Sequence, residues 1–213
     1  MKKIKTIPTI GKYLRELSIV VLGVAITLSV SYWITNKNEK RDMALYLNAI
    51  KLELEENIKY LDAEADYFED WRSYGIYLQS HDKKSLHPDS IRTRAYPGLG
   101  RLKNFIFKAS AFEMFKVSGA MRLIDDKELL QSLWDVYLTR TEKVRLSFYF
   151  YYELKTEQCI KENQLILEGK PNPIPLYDFF TMYSNIGVLE ECLEFSEALK
   201  ETVLKLEKSL NIK

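Results

Sequence analysis

Leu17 to Asn36 reads LSIVVLGVAITLSVSYWITN, twenty residues without a charge. As a helix rising about 1.5 Å per residue it spans about 30 Å, the thickness of a bilayer's hydrocarbon layer. A water-soluble helix would interrupt such a run with a charged face every third or fourth position. The polar members here are Ser18, Thr27, Ser29, Ser31, Thr35 and the terminal Asn36, and hydroxyls tolerate lipid by bonding back to their own helix. Tyr32 and Trp33 stand at the distal end, where rings with one polar edge favour the headgroup layer. The segment is expected to be an uncleaved transmembrane anchor. A cleaved signal peptide with Ser29-Val30-Ser31 as its small-residue site fits less well, because the leading region contains Glu16 and the apolar run exceeds the usual length.

Five basic residues (Lys2, Lys3, Lys5, Lys12, Arg15) precede the span, and three (Lys37, Lys40, Arg41) follow it closely. The excess predicts a short cytoplasmic amino end over 1–16 and a domain over 37–213 on the far side. In a bacterium with an inner (plasma) membrane, that far side is the periplasm or the exterior. Within the span, Gly23, Thr27 and Ser31 recur every four residues and form a candidate helix-packing face for a homo-oligomer. The plainer account is that small residues are common in single-pass helices.

The whole chain has 213 residues, 46% apolar and 29% charged, with 8 Gly and 6 Pro. Collagen-like, low-complexity and wholly disordered chains are thereby excluded. A net charge of +1 gives no basic surplus and predicts no nucleic-acid partner. The first 36 residues hold five Lys or Arg and one Glu, which leaves 26 basic and 29 acidic residues beyond them. Two Cys and two His are too few for a zinc ribbon, an iron-sulfur cluster or a disulfide framework, so no metal or cofactor is expected.

Beyond Arg41 the pattern is helical at once, with no Gly or Pro before Gly75, so the span is expected to run on into a long helix over 38–79. Its apolar stripe is Met43, Leu47, Ile50, Leu54, Ile58, Leu61, Ala65, Phe68 and Trp71. The charged residues between them (Lys51, Glu53, Glu55, Glu56, Lys59 and Asp62) read as a solvated face. Residues 80–104 carry Pro88, Pro97, Gly98 and Gly100 without periodicity and read as a long loop. That loop holds His81 and His87, which lack the converging partners a metal requires.

Ser110-Ala111-Phe112-Glu113 has capping-box spacing and opens a short helix over 110–118 that Gly119 stops. Asp125, three residues before Glu128, is expected to cap the next helix over 126–168, with Asp125 and Asp126 serving as caps rather than as a catalytic pair. The stripe of this helix is read as Leu130, Trp134, Tyr137, Thr141, Val144, Phe148 and Tyr151. Phe148, Tyr149, Phe150, Tyr151 and Tyr152 are consecutive. They read either as a crowded core or as an aromatic platform for a ligand or partner. A last helix over 177–211 shows a heptad, Leu189, Cys192, Ser196, Leu199, Val203, Leu206 and Leu210, of the kind found in coiled coils. Cys192 reads as a small buried residue, and a bridge to Cys159 is disfavoured by about 10 Å of helix rise. The fold class is all-α: an anchor continuing into an antiparallel bundle of about four helices.

The run from Glu16 to Ile26 ending in Trp33, together with Ser118-Gly119-Ala120-Met121-Arg122-Leu123-Ile124-Asp125-Asp126-Lys127-Glu128-Leu129 and the following Tyr137, resembles a bacterial family of single-pass membrane proteins defined by a domain of unknown function. Where that family usually has Gly before the glutamate and polar amides before the tryptophan, this chain has Arg15 and Ser31-Tyr32. The resemblance implies the topology and a helical extramembrane domain, and it assigns no site.

No GxSxG elbow, HExxH, P-loop or CxxC motif is present. The expected function is non-enzymatic: a membrane-anchored bundle in contact with lipid that binds a protein partner or senses a ligand. A structural, oligomerising subunit of an envelope complex is the alternative, and a membrane-anchored hydrolase ranks behind both.

Overall fold

The computed structural model describes residues 9–82, 105–169, 177, 181 and 187–211. Its largest element is α1, Thr9–Gln79, a helix of 71 residues that extends about 105 Å at the α-helical rise. The uncharged run and the first long helix of the domain are therefore one rod. Its amino-terminal part is long and apolar enough to cross a membrane, and none of that stretch is buried against the rest of the chain. Along it Ser18, Thr27 and Ser29 each donate to the carbonyl four residues back, which satisfies the hydroxyls within the helix.

From Met43 onward one face of α1 enters a core. Met43, Leu47, Ile50, Leu54, Leu61, Ala65 and Phe68 are buried as their spacing predicts, with Ile58 half-buried beside them. Against this face lie α2 (Ser110–Ser118), a 3-10 turn (Ala120–Leu123), α3 (Lys127–Trp134), α4 (Thr141–Leu167) and α5 (Val188–Asn211). The described residues are helical or irregular throughout, with no strand among them, so the fold is all-α.

Side-chain contacts fix the directions. Ser110 meets Glu53, the Phe115 ring lies 5.8 Å from that of Tyr46, and Arg122 meets Glu39, so α2 and its turn run back toward the apolar end of α1. Tyr137 then meets Glu53, and Phe148 meets Phe68 edge-on, so α3 and α4 run away from that end. Glu190 meets Arg72, Ser196 meets Asp62 and Glu207 meets Lys51, which returns α5 antiparallel to α1. All seven heptad positions of α5 face inward, six buried and Leu210 half-buried.

Three expectations need correction. The helix over 126–168 is interrupted by a π-helical stretch, Asp135–Arg140. A π turn inserts one extra residue, which rotates the face by about 100°. The buried residues before it are accordingly Leu129 and Leu133, while Trp134 is exposed and Leu130 only half-buried. The cap of α3 is Asp126, which accepts from the amides of Glu128 and Leu129 at 3.0 Å each, not Asp125. The capping box at Ser110 does not form. Ser110 donates to Glu53 and Glu113 pairs with Lys116, because a buried acceptor from α1 already occupies the start of α2.

Gly119 ends α2 as expected, in the left-handed region at φ 71°. The helix over 177–211 is described from Val188, after a turn at Gly187; Tyr177 and Thr181 are helical and the residues around them lie outside the described set.

Candidate functional site

Glu53 was expected on the solvated face, yet it is 7% exposed. Its Oε2 accepts from the Ala111 amide at 2.8 Å and the Ser110 hydroxyl at 3.0 Å. Its Oε1 accepts from the Tyr137 hydroxyl at 2.7 Å and, more weakly, from the Phe112 amide at 3.4 Å. A carboxylate from α1 thus caps α2 from outside, where free N–H groups and the helix dipole favour negative charge. Burial, and after it the charge and hydrogen bond of Glu53, raise the Tyr137 phenol far above its ordinary value. Tyr137 remains a donor at any working pH. Its ring stacks on Phe112 with centroids 4.1 Å apart.

One turn along α1, Asn57 closes a reciprocal pair with the backbone of Lys108: its Nδ2 donates to the carbonyl at 2.8 Å and its Oδ1 accepts from the amide at 2.9 Å. This amide clip pins residues 105–109 against α1. Further on, Glu64 and Lys155 are almost fully buried, with the Lys155 ammonium 5.6 Å from the Tyr151 ring centroid. These buried polar groups went unseen in the sequence because each sits among solvent-facing neighbours of the same kind.

Cys192 is a free, fully buried thiol. Burial first, then the charges of Glu64 and Glu191, push it up to about 12, which keeps it a thiol rather than a nucleophilic thiolate. The side chain of Cys159 lies outside the described residues. His81 is held at the end of α1 by the Tyr77 carbonyl at 2.8 Å and the Ser80 hydroxyl at 3.0 Å; His87 lies outside the described residues. Among the described residues no group of three His, Cys, Asp or Glu is placed to hold a metal ion.

The aromatic run divides. Phe148 and Tyr151 enter the core and pack edge-on against Phe68 at 5.4 and 5.0 Å. Tyr152 is half-buried, while Tyr149 and Phe150 are 53% and 60% exposed. The core reading therefore holds for Phe148 and Tyr151 and not for Tyr149 and Phe150. The outward members line an open groove of about 840 Å³ along α4, together with Phe105, Arg145, Glu153 and Ile160. Closed pockets for small molecules bury most of the ligand, whereas this groove is open along its length. Leu146, Phe150 and Leu154, one helical turn apart, continue the apolar strip, and all three are exposed.

The packing face read in the span, Gly23, Thr27 and Ser31, is exposed on α1, and a Cβ added at Gly23 would meet nothing within 4 Å. Comparison of the chain with protein-family models, with curated proteins and with solved structures finds no match.

Proposed function

We propose that this chain is a membrane-anchored, non-enzymatic protein whose helical body docks a protein partner through the α4 groove. One observation carries the docking surface: a strip of large apolar side chains, Leu146, Tyr149, Phe150, Leu154 and Ile160, left exposed on a helix whose opposite face is packed. Contiguous exposed apolar surface of this kind marks interaction sites, and aromatic anchors dominate interface energetics. The openness of the groove favours a protein over an enclosed small ligand.

The anchor is supported by the continuity and apolarity of α1. Under that reading the basic residues ahead of the span keep the amino end in the cytoplasm, and the body lies in the periplasm or outside the cell.

The test is recovery of the full-length protein from membranes in mild detergent, wild type against Tyr149→Ala/Phe150→Ala. A discrete co-purifying protein that is lost in the double variant, with helicity unchanged, is the expected result. The same companion retained in the variant would remove the groove from the account. Recovery of a second copy alone would favour the structural, oligomerising role.

A further inference from the structure

Because α1 is unbroken, position along it converts to depth in a bilayer, and the folded body can be placed against the lipid. This step rests on the anchor reading. The uncharged run ends at Asn36, beside Tyr32 and Trp33, and the Lys37 ammonium lies 5.4 Å from the Trp33 ring centroid. An aromatic ring with an amphipathic cation over it suits the headgroup boundary. Glu39 stands three residues further on, about 4.5 Å along the axis. The polar layer beyond the hydrocarbon is about 6 Å deep on each side, so Glu39 falls inside it.

Glu39 is where the body comes down to the membrane. Arg122, from the 3-10 turn, donates from Nη2 to Glu39 Oε1 at 2.6 Å, across 83 residues of sequence. Its side chain is still 68% exposed, and a guanidinium offers five N–H donors. Folding therefore carries a cation to the level already occupied by Lys37, Lys40 and Arg41, against the acids Glu39 and Asp42. Val117, in the last turn of α2 just before Gly119, is 86% exposed at the same end.

We infer that the turn around Gly119, residues 118–123, is a second membrane contact, in which Arg122 binds a phospholipid headgroup phosphate while remaining paired with Glu39. Arginine's planar fork suits phosphate. A body held at two points keeps a set orientation over the bilayer. With α1 alone the rod and the body it carries would be free to tilt and to rotate about the helix axis in the bilayer. The cluster does not exist in the sequence as a basic run; it is made by the fold.

The experiment uses the full chain with Cys159→Ser and Cys192→Ala, reconstituted in phosphatidylcholine vesicles containing a quarter phosphatidylglycerol. Single nitroxide labels are placed at Leu22→Cys, Val117→Cys and Leu193→Cys. The expected result is that label 22 relaxes with lipid-dissolved oxygen, label 117 with nickel chelated to headgroups, and label 193 only with a water-soluble nickel complex. Arg122→Gln is expected to lower the ratio of docked to undocked turn about fivefold, the value of one basic residue at an anionic surface. If label 117 behaves like label 193 while label 22 stays in lipid, the second contact is overturned and the anchor stands. An unchanged signal at 117 in Arg122→Gln overturns the role of Arg122. If label 22 lies in water, the anchor reading itself fails and the contact falls with it.

Discussion

The hydroxyl of Tyr137 donates to Glu53 across 2.7 Å, joining residues 84 positions apart at the point where α2 begins. The same carboxylate takes two amides of α2, so three elements converge on one buried charge. Removing the phenol leaves that charge with one donor fewer. Tyr137→Phe is expected to cost about 2 kcal/mol, and Glu53→Ala about 3 kcal/mol because it strands several donors. Denaturant unfolding of the detergent-solubilised chain measures both. A neutral Tyr137→Phe would mean that the bond contributes nothing to the fold.

Phe148 and Phe150 are chemically identical and two residues apart, yet one is 1% and the other 60% exposed. Phe148→Ala is expected to destabilise by about 3–5 kcal/mol, as for large-to-small changes in a core. Phe150→Ala should stay within about 0.5 kcal/mol, as for surface changes, and act on partner binding instead. Equal losses of stability at the two sites would contradict the division of the aromatic run.

The π-helical stretch makes a separate prediction. It supplies the extra residue that turns Leu129 and Leu133 inward while Val144 and Phe148 remain inward. Deleting Leu138, which is exposed, removes that residue and lets the stretch close to ordinary helix with Leu129 and Leu133 still in phase with Val144 and Phe148. Cooperative unfolding is expected to survive the deletion, whereas one further Ala inserted after Leu138 should misalign one of the two faces by about 100° and abolish it. Loss of cooperative unfolding in the deletion variant would show that the stretch is not a one-residue insertion in the helix.

Alkaline pH should weaken the fold. Cys192 is pushed up to about 12, mainly by burial, and the Tyr137 phenol is raised further still, again mainly by burial. Both neutral forms are favoured in the folded chain, so the folded state holds its protons more tightly than the unfolded one. The stabilisation is complete below the unfolded values, about 8.5 for Cys and about 10 for Tyr. It is lost as pH rises through the folded values, each group contributing a slope of up to about 1.4 kcal/mol per pH unit. Cys192→Ala should flatten the decline between about pH 8.5 and 12. At neutral pH, peptide mapping after iodoacetamide treatment should find Cys192 unmodified in the folded chain; rapid alkylation would place the thiol at the surface.

The stripes of α1 and α5 and the stop at Gly119 were legible in the sequence, because a repeat of three and four residues and a glycine after a helical run report directly on helix faces and ends. The core face of α3 was not, because a π turn leaves no mark in hydrophobic spacing and shifts the phase from Leu130 and Trp134 to Leu129 and Leu133. Glu53 was misread for a related reason. A buried carboxylate is distinguished from Glu55 or Glu56 only by its tertiary partners, here the start of α2 and Tyr137. Of the aromatic cluster the sequence showed the existence but not the partition, since five consecutive rings cover every face of a helix. The meeting of Arg122 with Glu39 had no sequence signature at all.

The central claim is that the apolar part of α1 stays in lipid and tethers the helical body to the membrane. Alkaline carbonate extraction of membranes containing the full-length protein tests this most directly, since it strips peripheral proteins and leaves integral ones. The intact chain is predicted to remain with the membrane pellet. Its quantitative appearance in the supernatant at full length would contradict the claim.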